Sequence, residues 1–415
     1  MAGCDRYIRE MRSPISERKL VLLIASGHFI NMLDAAMVFP LGPDFSKALG
    51  IPVSKLGMVG ASYTAAEVVA GIAGVAVLDR FDRRRALAVA LTGLAIGTAA
   101  CGLATGLLSL VAARVVAGLF GGTMDTLAFT IVSDAVAPER RGRAMGVIQS
   151  VSAVASVFGV PAGLELARLG GWRAPFFTLA ALGAVVTAVV MSMLPPLRAH
   201  LSAQPARLRE MLSQPLVRLA ITCLAIGMIA HYTLVPNLSA YIQFNRGYPR
   251  DQLGLLYMIG GAFAFAAARF IGWLADRYGP PPVTMFGTTL YAAVLIFGFI
   301  YPMDAIPVLV TFVGFMISSG FRFLPMLALL SRVPAPHERG RFMSTLSLVQ
   351  SVASAIGAML GAQLLTEQPD GSLAGIGDLA WLAIAMTFVF AALGYVIARK
   401  VRVCVAGNGH RTSTE

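Results

Sequence analysis

Between two long apolar runs the chain reads D-R-F-D-R-R-R-A-L at Asp79 to Leu87, and an answering stretch, G-W-L-A-D-R-Y-G, stands at Gly272 to Gly279. An acid followed at once by arginines cannot stay in an apolar phase, so each stretch marks a place where the chain leaves that phase between one helix and the next. The composition identifies the phase. Of 415 residues, 57% are hydrophobic and only 13% charged, with mean hydropathy +0.74. That is too little polar surface to cover a soluble core, so this is a membrane protein in contact with a lipid bilayer. A formal charge of +12 would point to nucleic acid in a soluble chain. Here, with the N-terminus placed in the cytoplasm, Lys and Arg gather in the tails and cytoplasmic loops, so the basic balance is read as topology. Both termini are expected inside, and no nucleic-acid partner is expected.

Working outward from the two stretches, apolar runs of the length a helix needs to cross a bilayer, about 20 residues, fall at 20–41, 57–78, 86–106, 108–131, 144–166, 174–195, 216–241, 253–275, 283–302, 306–330, 342–365 and 377–398. Backbone groups in lipid must be bonded within their own segment, so these are read as twelve transmembrane helices. The one long polar interval, Pro195 to Pro215, carries Arg198, Arg207 and Arg209 on an amphipathic pattern. It predicts an N-terminal bundle at 1–195, a cytoplasmic linker helix within 196–214 and a C-terminal bundle at 215–415. An internal repeat supports the split. Arg141, Gly142, Arg143 and Met145 return as Arg339, Gly340, Arg341 and Met343, while Ser156, Gly159 and Gly163 return as Ser354, Gly357 and Gly361. Two motifs at one offset predict a parallel repeat of six-helix units. The fold class expected is an all-α polytopic membrane protein with twelve spans in two pseudo-symmetric six-helix bundles.

Cys4, Cys101, Cys223 and Cys404 are scattered without a C-x-x-C, so neither a disulfide framework nor a metal site is indicated. The start, M-A-G-C-D-R-Y-I-R-E-M-R, has no apolar segment before Lys19, and the first span is expected to serve as insertion signal. No phosphate-cradling G-x-x-x-x-G-K-[ST] occurs, so ATP is not expected as a cofactor, nor is any other.

The paired loops resemble the G-x-L-A-D-R-x-G-R-R loop between the second and third spans of the major facilitator superfamily. Gly272, Leu274, Ala275, Asp276, Arg277 and Gly279 match it, with Pro280 and Pro281 replacing the basic residues; the earlier copy keeps Asp79, Arg80, Arg83 and Arg84, with Val75 and Asp82 at the glycine positions. The resemblance implies transport by rocking of the two bundles about a central cavity. It also implies a conformational latch from Asp79, Arg83 and Asp134, with Asp276 as the second-half counterpart of Asp79.

Arg114, in R-V-V-A-G, matches a fourth-span pattern of proton-coupled members of that family. A lone guanidinium in hydrocarbon costs several kcal/mol, so it must face the interior and meet an acid. Asp34, Glu67 and Asp125 are the candidates. Counting ~1.5 Å per residue puts Asp34 and Glu67 ~21 and ~18 Å in from their cytoplasmic ends and Arg114 at a similar depth, with Asp125 roughly three turns closer to the cytoplasm. Asp34, Glu67 and Arg114 are therefore the expected proton-coupling set. Span five, S-V-F-G-V-P-A-G followed by G-G-W-R-A-P-F-F, resembles the drug and sugar exporters of the family through Gly159, Pro161, Gly163, Trp172 and Arg173. In the second half the intramembrane polar residues are His231, Tyr232, Asn237, Arg269 and Arg322, with no Asp or Glu inside a span. Arg269 lies near enough to a helix end to snorkel. Arg322, His231, Tyr232 and Asn237 are the expected substrate-binding residues.

The function expected is proton-coupled efflux of a small amphiphilic or sugar-like compound by a monomer in the cell membrane, the bacterial inner membrane in particular. Uptake or facilitated movement of an organic anion or zwitterion is the second transport reading. A membrane enzyme would need an embedded catalytic cluster and a transport-inactive sensor a sizeable soluble domain, and neither pattern is present.

Overall fold

Span one starts at Ser16, whose hydroxyl accepts a hydrogen bond from Lys19 N at 3.4 Å and so caps the helix Glu17–Met37. The computed structural model describes residues 16–77, 81–136, 138–195, 208–303, 305–334, 339–369 and 371–411. These form two helical units, Met1–Pro205 and Ala206–Glu415, divided inside the polar interval. The expected linker helix lies mostly outside the described residues. Its end is the short helix Leu208–Ser213, whose Met211 is buried in the core of the second unit.

In the first unit, span two is Leu56–Val77, span three Arg83–Gly102, span four Leu107–Ala135 and span six Ala174–Met193. Span five is Pro138–Val154 continued by a π turn, Ala155–Gly159, into Val160–Gly170. The turn precedes Pro161, which has no N–H to give the helix ladder, and the register widens there. In the second unit span seven begins with Pro215–Tyr232, and spans eight to twelve are Leu253–Tyr278, Pro280–Leu295, Val308–Leu330, Arg339–Leu364 and Ile376–Arg411. Among the described residues eleven helices, span five not among them, are each long and apolar enough to cross a membrane.

The helix pairings repeat between the units. Span one packs on five and six as seven packs on eleven and twelve; four packs on two and three as ten packs on eight and nine; three packs on six as nine packs on twelve. The repeated glycines serve the same contacts. A Cβ on Gly159 or Gly163 would press on Leu33 or Met37 of span one, and one on Gly357 or Gly361 would press on Ile229 or Thr233 of span seven. Val69, Ile72, Val89, Ile96, Phe263 and Phe265 stay exposed on the outer faces. So many large apolar side chains in water would be an aggregation hazard, and in lipid they are solvated.

Three details depart from expectation. Span one stops at Met37, and an additional helix, Gly42–Leu49, closes at Gly50 in the left-handed region at φ 63°. The run at 216–241 is not one helix. Pro215–Tyr232 ends, a 3₁₀ turn holding Pro236 follows at Val235–Asn237, and Leu238–Ala240 runs into a π turn, Tyr241–Asn245. The proline removes a ladder donor, which apolar periodicity cannot reveal. Lastly, the loop after span eleven holds a two-strand antiparallel pair, Thr366–Glu367 with Leu373–Ala374.

Candidate functional site

Span one presents His28, Asn31 and Asp34 at intervals of three, which on an α-helix places them on one broad face. All three are buried, Asn31 and Asp34 completely. Span four brings Arg114 to that face. Its Nη1 donates to Asp34 Oδ2 at 2.7 Å and to the Asp34 backbone carbonyl at 3.3 Å. The other carboxylate oxygen of Asp34 accepts from Thr98 Oγ1 of span three at 2.8 Å. The side chains of Arg114 and Asp34 are 1% and 0% exposed, so the pair has lost its water and depends on these partners.

From Arg114 the polar groups continue. Its guanidinium lies over the Tyr63 ring, 4.1 Å from the centroid. The Tyr63 hydroxyl donates to Asn31 Oδ1 at 2.6 Å, and Asn31 Nδ2 donates to Asp125 Oδ1 at 2.8 Å. His28 Nδ1 lies 2.9 Å from the same Asp125 oxygen. Three glycines after Arg114 admit this arrangement. A side chain on Gly118 would strike the Tyr63 carbonyl, one on Gly121 the Tyr63 hydroxyl and Asn31 Oδ1, and one on Gly122 the Glu67 carbonyl. Spans two and four can therefore approach closely enough for a tyrosine from one to lie under the arginine of the other.

Of the expected proton-coupling residues, Asp34 and Arg114 meet directly. Glu67 lies one turn beyond Tyr63 on span two and is half-buried. The helix-depth estimate separated Asp125 from this group, but Asn31 and Tyr63 bridge the interval. His28, Asn31, Tyr63 and Thr98 are not singled out by sequence reasoning. A polar residue at every third position of an otherwise apolar span is the signal that points to the first two.

In the second unit span ten buries Arg322 completely. Its guanidinium stacks on Tyr291 of span nine at 3.9 Å and lies 5.1 Å from the Phe323 ring. Gly287, one turn before Tyr291, lets the span-ten backbone at Phe321 and Arg322 come close; an added Cβ would be 2.9 Å from Arg322 N. None of the three guanidinium nitrogens makes a hydrogen bond among the described residues, nor do the buried hydroxyls of Thr284, Thr288 and Tyr291 on span nine. His231 joins this group through Phe315, which stacks on it at 5.6 Å and meets Tyr291 at 5.5 Å. Tyr232 is edge-on to His231 at 5.6 Å. Asn237 stands apart, fully buried beside Gly361 of span eleven with neither amide atom hydrogen-bonded among the described residues. Arg269 is exposed on span eight.

Of the expected latch, Asp79 lies outside the described residues, and so does the side chain of Asp134. Arg83 is buried in the first turn of span three, while Asp276 is exposed at the end of span eight. Asp82, which replaces a motif glycine, caps span three: its Oδ1 accepts from Arg84 N at 2.9 Å. Among the described residues no group of three or more His, Cys, Asp or Glu could hold a metal ion.

The sequence profile of the Major Facilitator Superfamily matches residues 24–358 and 220–403. The multidrug resistance protein B homolog of Mycobacterium tuberculosis is 27% identical over 355 residues, covering 70% of this chain and 65% of that protein. The chloramphenicol resistance protein of Streptomyces lividans is 28% identical over 245 residues, covering 58% of this chain and 62% of its own length. The chain thus spans somewhat under two thirds of these relatives. In fold it is similar to a solved bacterial homolog of the human lysosomal transporter Spinster, with TM-score 0.74 at 16% identity over 92% of this chain and 97% of that one.

Proposed function

This chain belongs to the Major Facilitator Superfamily, and from that premise we propose that it is a proton-coupled exporter of a small amphiphilic or sugar-like compound working by alternating access. It is a multi-pass membrane transporter, with helices that suit the bacterial cell membrane. We place both termini in the cytoplasm. The observation that carries the coupling is the Arg114–Asp34 pair, a cation and a carboxylate at 2.7 Å in a dry bundle interior. Such a pair is expensive to bury and is not needed for packing, because apolar residues of like volume would serve the fold at least as well. A proton arriving on Asp34 neutralises the carboxylate and releases Arg114, so protonation changes the relative stability of two conformations. Glu67 is the second acid of this centre. The names of the drug-resistance relatives favour export.

For the substrate, Arg322, His231, Tyr232 and Asn237 are the proposed contact set, and Tyr291 joins it on geometry. An uncompensated buried guanidinium with unused hydroxyls beside it favours a second reading of the cargo, as an organic anion or zwitterion whose carboxylate or phosphate completes the site. Asp79, Arg83, Asp134 and Asp276 are proposed as the conformational latch.

The test is transport in proteoliposomes with an imposed pH gradient of either sign, using a panel of cationic, neutral and anionic drugs and sugars. Wild-type protein concentrates substrate on the acidic side of the bilayer, and Asp34→Asn exchanges it only at equal pH. If the double variant Asp34→Asn, Glu67→Gln still concentrates substrate in response to the gradient, the coupling assignment is wrong.

A further inference from the structure

The Asp34–Arg114 pair is one end of a longer set of buried polar groups. At the other end two groups remain that proton release from Asp34 does not use. His28 and Asp125 meet at 2.9 Å, roughly 9 Å along span one from Asp34 toward its Glu17 end at the helical rise. We propose that His28 and Asp125 form a second proton-binding site in the first bundle, joined through Asn31 and Tyr63 to the Asp34–Arg114 pair so that each site responds to the occupancy of the other. The proposal rests on the reading of this bundle as proton-coupled.

The hydrogen-bond directions determine what the site holds. Asn31 receives the Tyr63 hydroxyl on its carbonyl oxygen and must present its amide hydrogens to Asp125. Asp125 Oδ1 thus accepts from Asn31, and His28 Nδ1 lies 2.9 Å from the same oxygen without a hydrogen bond to it. This arrangement suits an ionised carboxylate, which can only accept. With a neutral imidazole the pair carries one negative charge; one added proton gives an imidazolium–carboxylate pair of zero net charge, with no other bond made or broken. The Asp125 side chain is 17% exposed against 3% for His28, so the site is reachable at the carboxylate while the imidazole stays dry. His28 is also held edge-on by Phe129, with ring centroids 5.8 Å apart, which fixes the ring facing the carboxylate.

The groups that bear on this site from the helices around it can be named. Span one adds Asp34 and, at its start, Glu17, Arg18 and Lys19; span two adds Tyr63 and Glu67, span three Cys101 and, at its start, Arg83, Arg84 and Arg85, and span four Arg114. Span five carries charge only near its ends, at Glu139, Arg140, Arg141, Arg143, Glu165 and Arg168, and span six carries none. Against the negative groups stand two buried cations among the described residues of the first unit, Arg114, already paired with Asp34, and Arg83 in the first turn of span three. Releasing Arg114 from Asp34 turns it toward the remaining negative charge, and the Tyr63 ring on which it lies connects to Asp125 through Asn31. Occupancy of one site therefore changes the field at the other through a short, dry path.

The test follows the proton itself. Full-length protein with ¹⁵N-labelled imidazoles is reconstituted in nanodiscs, and the resonance lost in His28→Gln assigns His28 among the five histidines. The expected result is a His28 resonance that changes with pH across the range in which the protein stays folded. Asp125→Asn, which keeps the shape but removes the charge, lowers the proton affinity of His28 at least tenfold. Asp34→Asn moves the titration by a smaller amount, and adding Tyr63→Phe, which removes the hydroxyl link, reduces that response. Thermal melting verifies that each variant is folded, and the wild-type titration alone decides the matter if Asp125→Asn is not. A His28 that stays neutral and flat across this range in folded wild-type protein overturns the proposal, as does a titration indifferent to Asp125. The outcomes separate the two readings. A titrating, Asp125-dependent His28 alongside intact gradient-driven transport in the Asp34, Glu67 double variant removes the proposed coupling centre but keeps this site. A silent His28 alongside uncoupling by Asp34→Asn removes only this site.

Discussion

Arg114 in the first unit and Arg322 in the second are both buried arginines, one on span four and one on its repeat counterpart, span ten, and both lie on the face of a tyrosine, at 4.1 Å and 3.9 Å. They differ in what completes them. Arg114 has a carboxylate within its own bundle at 2.7 Å, and Arg322 has no hydrogen-bonding partner among the described residues. An aromatic face offers a guanidinium roughly 0.5 to 2 kcal/mol, well short of its desolvation cost. The first arginine is thus an internal device whose charge is answered within the bundle. The second has no such carboxylate among the described residues, so two repeats of one architecture treat a buried arginine differently.

Removing each arginine should break that contrast in opposite directions. Arg114→Ala leaves Asp34 buried without its cation and should destabilise the protein by about 3 to 5 kcal/mol. Thermal melting in detergent measures this, and adding Asp34→Asn should recover part of the loss. Arg322→Met instead removes an uncompensated charge and fills the space, so the substrate-free protein should gain stability, by about 1 to 3 kcal/mol on the scale of buried ion pairs replaced by apolar groups. The same variant should lose anion-dependent stabilisation, read as melting against added carboxylates. A lower melting temperature for Arg322→Met would mean that its charge is already met.

The glycines sharpen the comparison on a smaller scale. A Cβ at Gly357 would stand 2.6 Å from the Ile229 carbonyl, a backbone atom, whereas one at Gly163 would meet the flexible Met37 sulfur at 2.9 Å. Gly357→Ala should cost about 1 to 3 kcal/mol, and Gly163→Ala under about 1, because a thioether can swing aside and a helix backbone cannot. Equal costs would mean that span seven is free to shift at its broken end. Tyr63→Phe should be the mildest change, about 1 kcal/mol for one lost hydroxyl, since the ring stays under Arg114. It should nonetheless leave a pH dependence of melting different from wild type, because Asn31 loses the donor that orients it toward Asp125.

Membrane spanning and the number of spans were legible in the chain, because hydrocarbon tolerates so few backbone solutions that apolar length decides them, and the two-unit repeat was legible in motifs that recur at one offset. The demand of Arg114 for an acid was legible for the same reason. Which acid meets it was not. One-dimensional depth left Asp34 and Glu67 both level with Arg114 and put Asp125 closer to the cytoplasm; the choice of Asp34 depends on the rotation of spans one and four about their axes, set by packing at Gly27, Gly118 and Gly121. The break at Pro236 and the π turn before Pro161 likewise follow from how freed backbone groups are satisfied locally, which hydropathy does not register. Tyr63 and Asn31 were not singled out in the chain. Only the helix assembly makes them the bridge between two charged pairs, because a hydrogen bond is decided at a few tenths of an ångström while an apolar run is decided at the thickness of a bilayer.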